Sequence, residues 1–125
     1  MQAQKKPEKV ISEQAISTPE IAFGLEKFQQ EYPVGKKTAF IIMQCGSTTL
    51  HTDIVECIKK TLEKHNIIAL GADDKEDMDD LFPNVKGYMH ACDFGIAIFD
   101  RIIEDDFNPN VTLEVGYMLG LGKNV

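Results

Sequence analysis

The stretch Thr38-Ala39-Phe40-Ile41-Ile42-Met43 (residues 38–43, TAFIIM) decides the fold. It holds no charge and does not alternate between apolar and polar residues. A strand with one wet face alternates; a strand covered on both faces reads as a continuous apolar run. TAFIIM is therefore expected to be a central strand of a parallel sheet, which requires helical crossovers on either side of it.

The flanking sequence supplies them. Gln44-Cys45-Gly46-Ser47 breaks the strand, and a helix is expected to about His65, capped by Ser47 or Thr49, with Leu50, Ile54, Ile58 and Leu62 on one face and Val55 beside them. Asn66 ends it. Ile67 to Leu70 (IIAL) is a second strand that runs into Gly71-Ala72-Asp73-Asp74. After the acidic segment Asp73 to Asp80, Pro83 breaks or starts a helix carrying Val85, Met89 and Cys92. Phe94 to Phe99 (FGIAIF) is a third strand ending at Asp100. An acidic loop leads to a last helix within FNPNVTLEVGYMLGLGK (residues 107–123), where Asn108 caps and Pro109 takes the first helical position. Asn124-Val125 reads as the start of a fourth strand, so a continuation of the chain or a partner is expected to cover that edge.

Upstream, residues 1–16 read as a polar tail, and residues 17–36 as a helix and linker. Thr18 is the cap, Pro19 and Glu20 form the first turn, and Ile21, Ala22, Leu25 and Phe28 make the apolar stripe. Residues 37–125 form one α/β domain of β-α-β-α-β-α order, a doubly wound parallel sheet. Ligands of such sheets bind beyond the carboxyl ends of the strands, here at 44–47, 72–74 and 100–108.

The 125 residues carry a formal charge of −7 and are 43% hydrophobic. That suits a single domain with a real core and excludes nucleic-acid binding through a broad basic patch. Small nucleotides stay within reach of backbone amides and helix ends. Cys45, Cys57 and Cys92 are odd in number, widely spaced and without a C-x-x-C pair, which argues against a disulfide framework or a zinc ribbon. With no apolar leader at MQAQKKPEKV and no membrane-length run, a cytoplasmic setting is expected.

The acidic segment lacks the glycine and ligand spacing of a calcium loop, and no metal is expected. Cys45 with His51 makes a poor nucleophile–base pair, because no third group orients the histidine. There is neither a GxGxxG nor a Walker lysine loop. Glu114 is the oddity: a carboxylate inside a helix that looks apolar on every side and hence buried. An internal partner such as Arg101 and a pocket closed by a substrate explain it equally well.

Asn108-Pro109-Asn110-Val111, through Glu114-Val115-Gly116-Tyr117 to Leu121-Gly122-Lys123, resembles the signature of bacterial TIR-like proteins and the related nucleoside 2-deoxyribosyltransferases. The strand Ala39 to Met43 and the strand ending at Ala72-Asp73-Asp74 are similar too. The resemblance covers about Lys37 to Val125. It implies a flavodoxin-like doubly wound sheet, with the N-terminal helix as an addition, and chemistry at an N-glycosidic bond. It also implies that Glu114 is the catalytic carboxylate. Gln44, Gly46, Asp73, Asp100, Asn108 and Asn110 are expected as substrate contacts, NAD as a substrate rather than a cofactor, and a homo-oligomer or partner protein as the assembly. Where the transferase pattern has an aspartate this sequence has Asn108, which cannot take a proton, so hydrolysis of NAD or a related nucleotide ranks above deoxyribosyl transfer; a non-catalytic nucleotide-binding sensor module is the other alternative.

Overall fold

The computed structural model describes residues 19–32, 35–44, 48–71, 81–102, 105–106 and 108–125, without the side chains of residues 20 and 81–84. The tail, the Thr18 cap, Cys45, Gly46, Ser47 and Asp73 lie outside the described residues.

Helix α1 (Pro19–Glu31) precedes strand β1 (Lys37–Met43), helix α2 (Thr49–Glu63), strand β2 (Ile67–Gly71), helix α3 (Leu81–Ala91), strand β3 (Phe94–Ile98) and helix α4 (Pro109–Gly120). The sheet is parallel in the order β2-β1-β3. TAFIIM is its central strand, and residues 38–42 are all buried. Beyond β3, the backbone N–H of Gly95 donates to the Asn124 carbonyl at 2.8 Å and Phe94 forms an isolated parallel bridge with Asn124.

Alternation along β1 separates the two faces. Phe40 and Ile42 join Leu70, Val85, Tyr88, Met89, Cys92, Val111 and Met118 in the main core, so α3 and α4 share that face. Ala39 and Ile41 point the other way, toward α2, and are buried as well. Lys64 caps α2, and Asn66 turns the chain into β2 with φ 60°, a left-handed conformation that asparagine tolerates.

Two helical faces differ from their sequence reading. On α2, Leu50 is exposed and His51 is buried instead. Steps of four residues drift by about 40° each, so Leu50 lies about 120° from Leu62 around the axis, whereas His51 stands at i, i+3, i+4 and i+7 with Ile54, Val55 and Ile58. The cap is Thr48, whose hydroxyl accepts the His51 backbone N–H, and Thr49 is the first helical residue rather than the cap. On α1, Ala22 is exposed and Gly24 faces inward with Ile21 and Phe28. The inward stripe is spent on α3: a Cβ on Gly87 would stand 2.6 Å from the Gly24 Cα. Phe28 meets Tyr88 edge-on with ring centroids 5.4 Å apart and Tyr32 tilted at 5.0 Å.

The amino edge of the sheet is stitched by polar groups. Thr38 donates its backbone N–H to Asp93 Oδ2 at 2.8 Å, and Asp93 returns its own N–H to the Thr38 carbonyl at 2.9 Å. Lys123 Nζ donates to the carbonyls of His90 and Cys92 at 2.9 and 2.8 Å, satisfying acceptors left over where α3 ends.

Candidate functional site

The chain leaves β1 for β2 on one side and returns to β3 on the other. The crevice between the carboxyl ends of β1 and β3 is therefore the switch point of the sheet, where open α/β folds place their ligands. Three elements begin or end at this edge: the first turn of α2, the residues after β3, and the first half of α4.

Asn108 starts α4 as expected. Its backbone is extended, and its side-chain oxygen accepts the Asn110 N–H at 2.8 Å. Val111 and Met118 plug the core, and Met118 Sδ would lie 2.8 Å from a Cβ on Gly95, so this glycine is where the helix meets β3. Glu114 is one turn before Met118, about 6 Å toward the carboxyl edge. That sets it level with about Ala97 and with Ile42, the partner of Ala97 across the ladder. Glu114 lies between the core side of α4 and the Tyr117 side, which faces α3: Tyr117 Oη shares a hydrogen bond of 2.8 Å with His90 Nε2. Burial lowers the His90 pKa, helped by Lys123 and Lys86, and raises that of the Tyr117 phenol. This contact fixes the rotation of α4 and with it the direction of Glu114.

Glu114 is half-buried and has neither a hydrogen bond nor an ion pair among the described residues. Arg101, the partner that would have given it a structural role, is exposed and makes no ion pair with it. Burial alone pushes the Glu114 carboxyl up to about 7. The helix around it is not buried on every side, contrary to its composition. Leu113 and Leu119 are exposed, and added Cβ atoms on Gly116 and Gly120 would meet nothing within 4 Å. One face of α4 meets the sheet and α3, and the other is open, so an apolar helix here is half covered.

The first turn of α2 adds a buried histidine near the same carboxyl edge of the sheet. His51 is 2% exposed; its Nδ1 faces the Thr48 hydroxyl, and its Nε2 lies 3.6 Å from Asp100 Oδ1. Asp100 Oδ1 also accepts the Ile102 N–H at 3.1 Å. Asp100 is thus the carboxylate beside His51, at a distance longer than a hydrogen bond. The signal in the sequence was the place of His51 on the inward stripe of α2, three residues after the cap.

Gln44 follows β1 directly and is half-buried at the same edge, while Asn110 is exposed on α4. Asn108 spends its oxygen on the cap. Replacing it by Ala is expected to cost about 1 kcal/mol, whereas Asp should be tolerated within a few tenths of a kcal/mol, because a carboxylate caps as well and favours the positive helix end. Urea midpoints of the two variants check this. Cys92 is buried in the core and its thiol is pushed up to about 12 by burial, so it is no nucleophile. Among the described residues no cluster of three or more His, Cys, Asp or Glu is placed to hold a metal, and no helix is long and apolar enough to cross a membrane.

A depression of about 250 Å³ lies at the other edge of the sheet, lined by Lys36, Lys59, Glu63 and Asn66 with the start of β2. It gathers strand beginnings rather than the loops after strand ends, and it contains neither Glu114 nor the His51–Asp100 pair. The carboxyl edge is the better candidate on chemistry. No known protein-family model matches the chain, and no curated protein matches it.

Proposed function

We propose that the chain is a TIR-like, flavodoxin-like nucleotide-processing domain that cleaves the N-glycosidic bond of NAD or a related nucleotide, with Glu114 as the catalytic carboxylate. The observation that carries this reading is a half-buried carboxylate in the first half of α4 that has no ion pair or hydrogen bond among the described residues. A half-buried acid without a partner is unfavourable to the fold on its own. It becomes useful when the missing partner is a cation brought by the substrate. The glycosidic carbon of NAD is attached to a positively charged pyridinium nitrogen, and positive charge moves onto the sugar as that bond breaks.

The steps balance as follows. The C–N bond to nicotinamide breaks and its electron pair stays on the nitrogen, leaving neutral nicotinamide. The sugar carbon becomes oxocarbenium-like, and Glu114 stabilises it or closes on it as an ester. Water then supplies hydroxide to that carbon and a proton to solvent, giving the free ribosyl product. Asn108 is committed to the helix cap and can supply no proton, which keeps deoxyribosyl transfer below hydrolysis.

Incubation of the full chain with NAD should release nicotinamide. The carboxylate is needed ionised, so kcat/KM should rise with pH through about 7 and level off above it. Tight NAD binding without product would replace this reading with that of a nucleotide-sensing module; neither binding nor product would retire both.

A further inference from the structure

His51 in the first turn of α2 and Asp100 after β3 meet at this edge, and no described residue completes either. The Thr48 hydroxyl accepts the His51 backbone N–H and also lies within hydrogen-bond reach of His51 Nδ1. When that hydroxyl donates to Nδ1, the ring proton sits on Nε2, directed at Asp100. At 3.6 Å that contact is too long for a hydrogen bond. His51 Nε2 and Asp100 Oδ2 are both buried without a hydrogen-bond partner among the described residues. The Asp100 side chain keeps only 8% of its surface exposed. Buried polar atoms are rarely left open unless something else completes them, and functional hydrogen bonds are often long before the ligand arrives.

The two open atoms define their guest. Oδ2 needs a donor, and Nε2–H needs a lone pair. An ammonium has no lone pair, and a phosphate or carboxylate oxygen has no proton to give. A hydroxyl has both. The geometry points to a sugar-hydroxyl subsite in which one ribose hydroxyl donates to Asp100 Oδ2 and accepts from His51 Nε2–H. The site should therefore prefer ribonucleotides to their deoxy forms. This rests on reading the crevice between β1 and β3 as the nucleotide site. Both atoms are sealed in the free chain, and side-chain adjustment of the kind common on binding uncovers them.

Calorimetry of the full chain with AMP, 2′-deoxy-AMP and 3′-deoxy-AMP tests it. Loss of one of the two hydroxyls should weaken binding on the order of 10- to 100-fold, as for a hydrogen bond to a charged group. In His51→Asn and Asp100→Asn that preference should fall to near parity while deoxy binding is kept. The imidazole nitrogen spectrum of the free chain should show the proton of His51 on Nε2. Equal affinities for the three nucleotides, no binding of any, a preference surviving in both variants, or a proton on Nδ1 would each overturn the inference. NAD cleavage measured in parallel separates it from the catalytic reading: preference without turnover retires only the latter, and turnover without preference only the former.

Discussion

Replacing Glu114 by Gln should raise the thermal midpoint at pH 8 by about 5 °C and reduce nicotinamide release on the order of 10³-fold. Both effects have the same cause. The carboxyl is raised from 4.5 to about 7 by burial, with no cation to repay the desolvation. Between those two values the folded chain holds a proton that the unfolded chain has lost, so stability falls as pH rises through that window. The penalty is complete above about 7 and absent below 4.5. The full shift corresponds to roughly 3 kcal/mol, and partial exposure reduces it to about 1–2 kcal/mol. Gln keeps the shape and cannot ionise. Melting curves of the two proteins should coincide at pH 4 and separate as pH rises. A variant that is both more stable and inactive marks a residue kept for chemistry. If the curves stay together at pH 8, the carboxylate has a partner after all and the catalytic assignment loses its support.

Gly87→Ala should destabilise the chain by about 2 kcal/mol, while the same change at Gly116 or Gly120 should stabilise it by about 0.5–1 kcal/mol each. All three glycines sit inside helices, where alanine is the better former. The difference is what the added methyl meets. At Gly87 it stands 2.6 Å from the Cα and 2.9 Å from the carbonyl carbon of Gly24, and backbone cannot rotate away. To make room, α1 has to lift from α3, loosening Ile21 and the stack of Phe28 on Tyr88. At Gly116 and Gly120 nothing lies within 4 Å, so the propensity gain is all that remains. Urea unfolding of the three variants decides it. A neutral or stabilising Gly87→Ala would show that α1 is not held by this close approach.

Much of the architecture was legible because it follows from patterns with one meaning. An uncharged run such as TAFIIM fits only a strand covered on both faces, and Asn108-Pro109 fits only a helix start. The errors came where composition stood in for direction. Leu50 looked like the first member of an apolar stripe, but four-residue spacing drifts around a helix, and three such steps carry it into solvent. The apolar content of α4 read as burial on all sides, although a helix lying on a sheet has one face to bury. The site was half legible. Glu114 could be singled out by polarity, yet only the structure shows that Arg101 does not pair with it. His51 could not be joined to Asp100 at all, because their proximity depends on β1 and β3 being neighbours in a sheet whose order skips β2.

Lys123, the last charged residue of the motif around α4, satisfies carbonyls made much earlier on the chain, and Asn124 supplies the carbonyl that Gly95 needs. Order of synthesis thus enters the fold. As the polypeptide leaves the ribosome, the end of α3 and the start of β3 keep open acceptors and donors until residues 123 and 124 emerge. The sheet can begin to assemble before that moment, but its amino edge closes only when the final turn after α4 has been made.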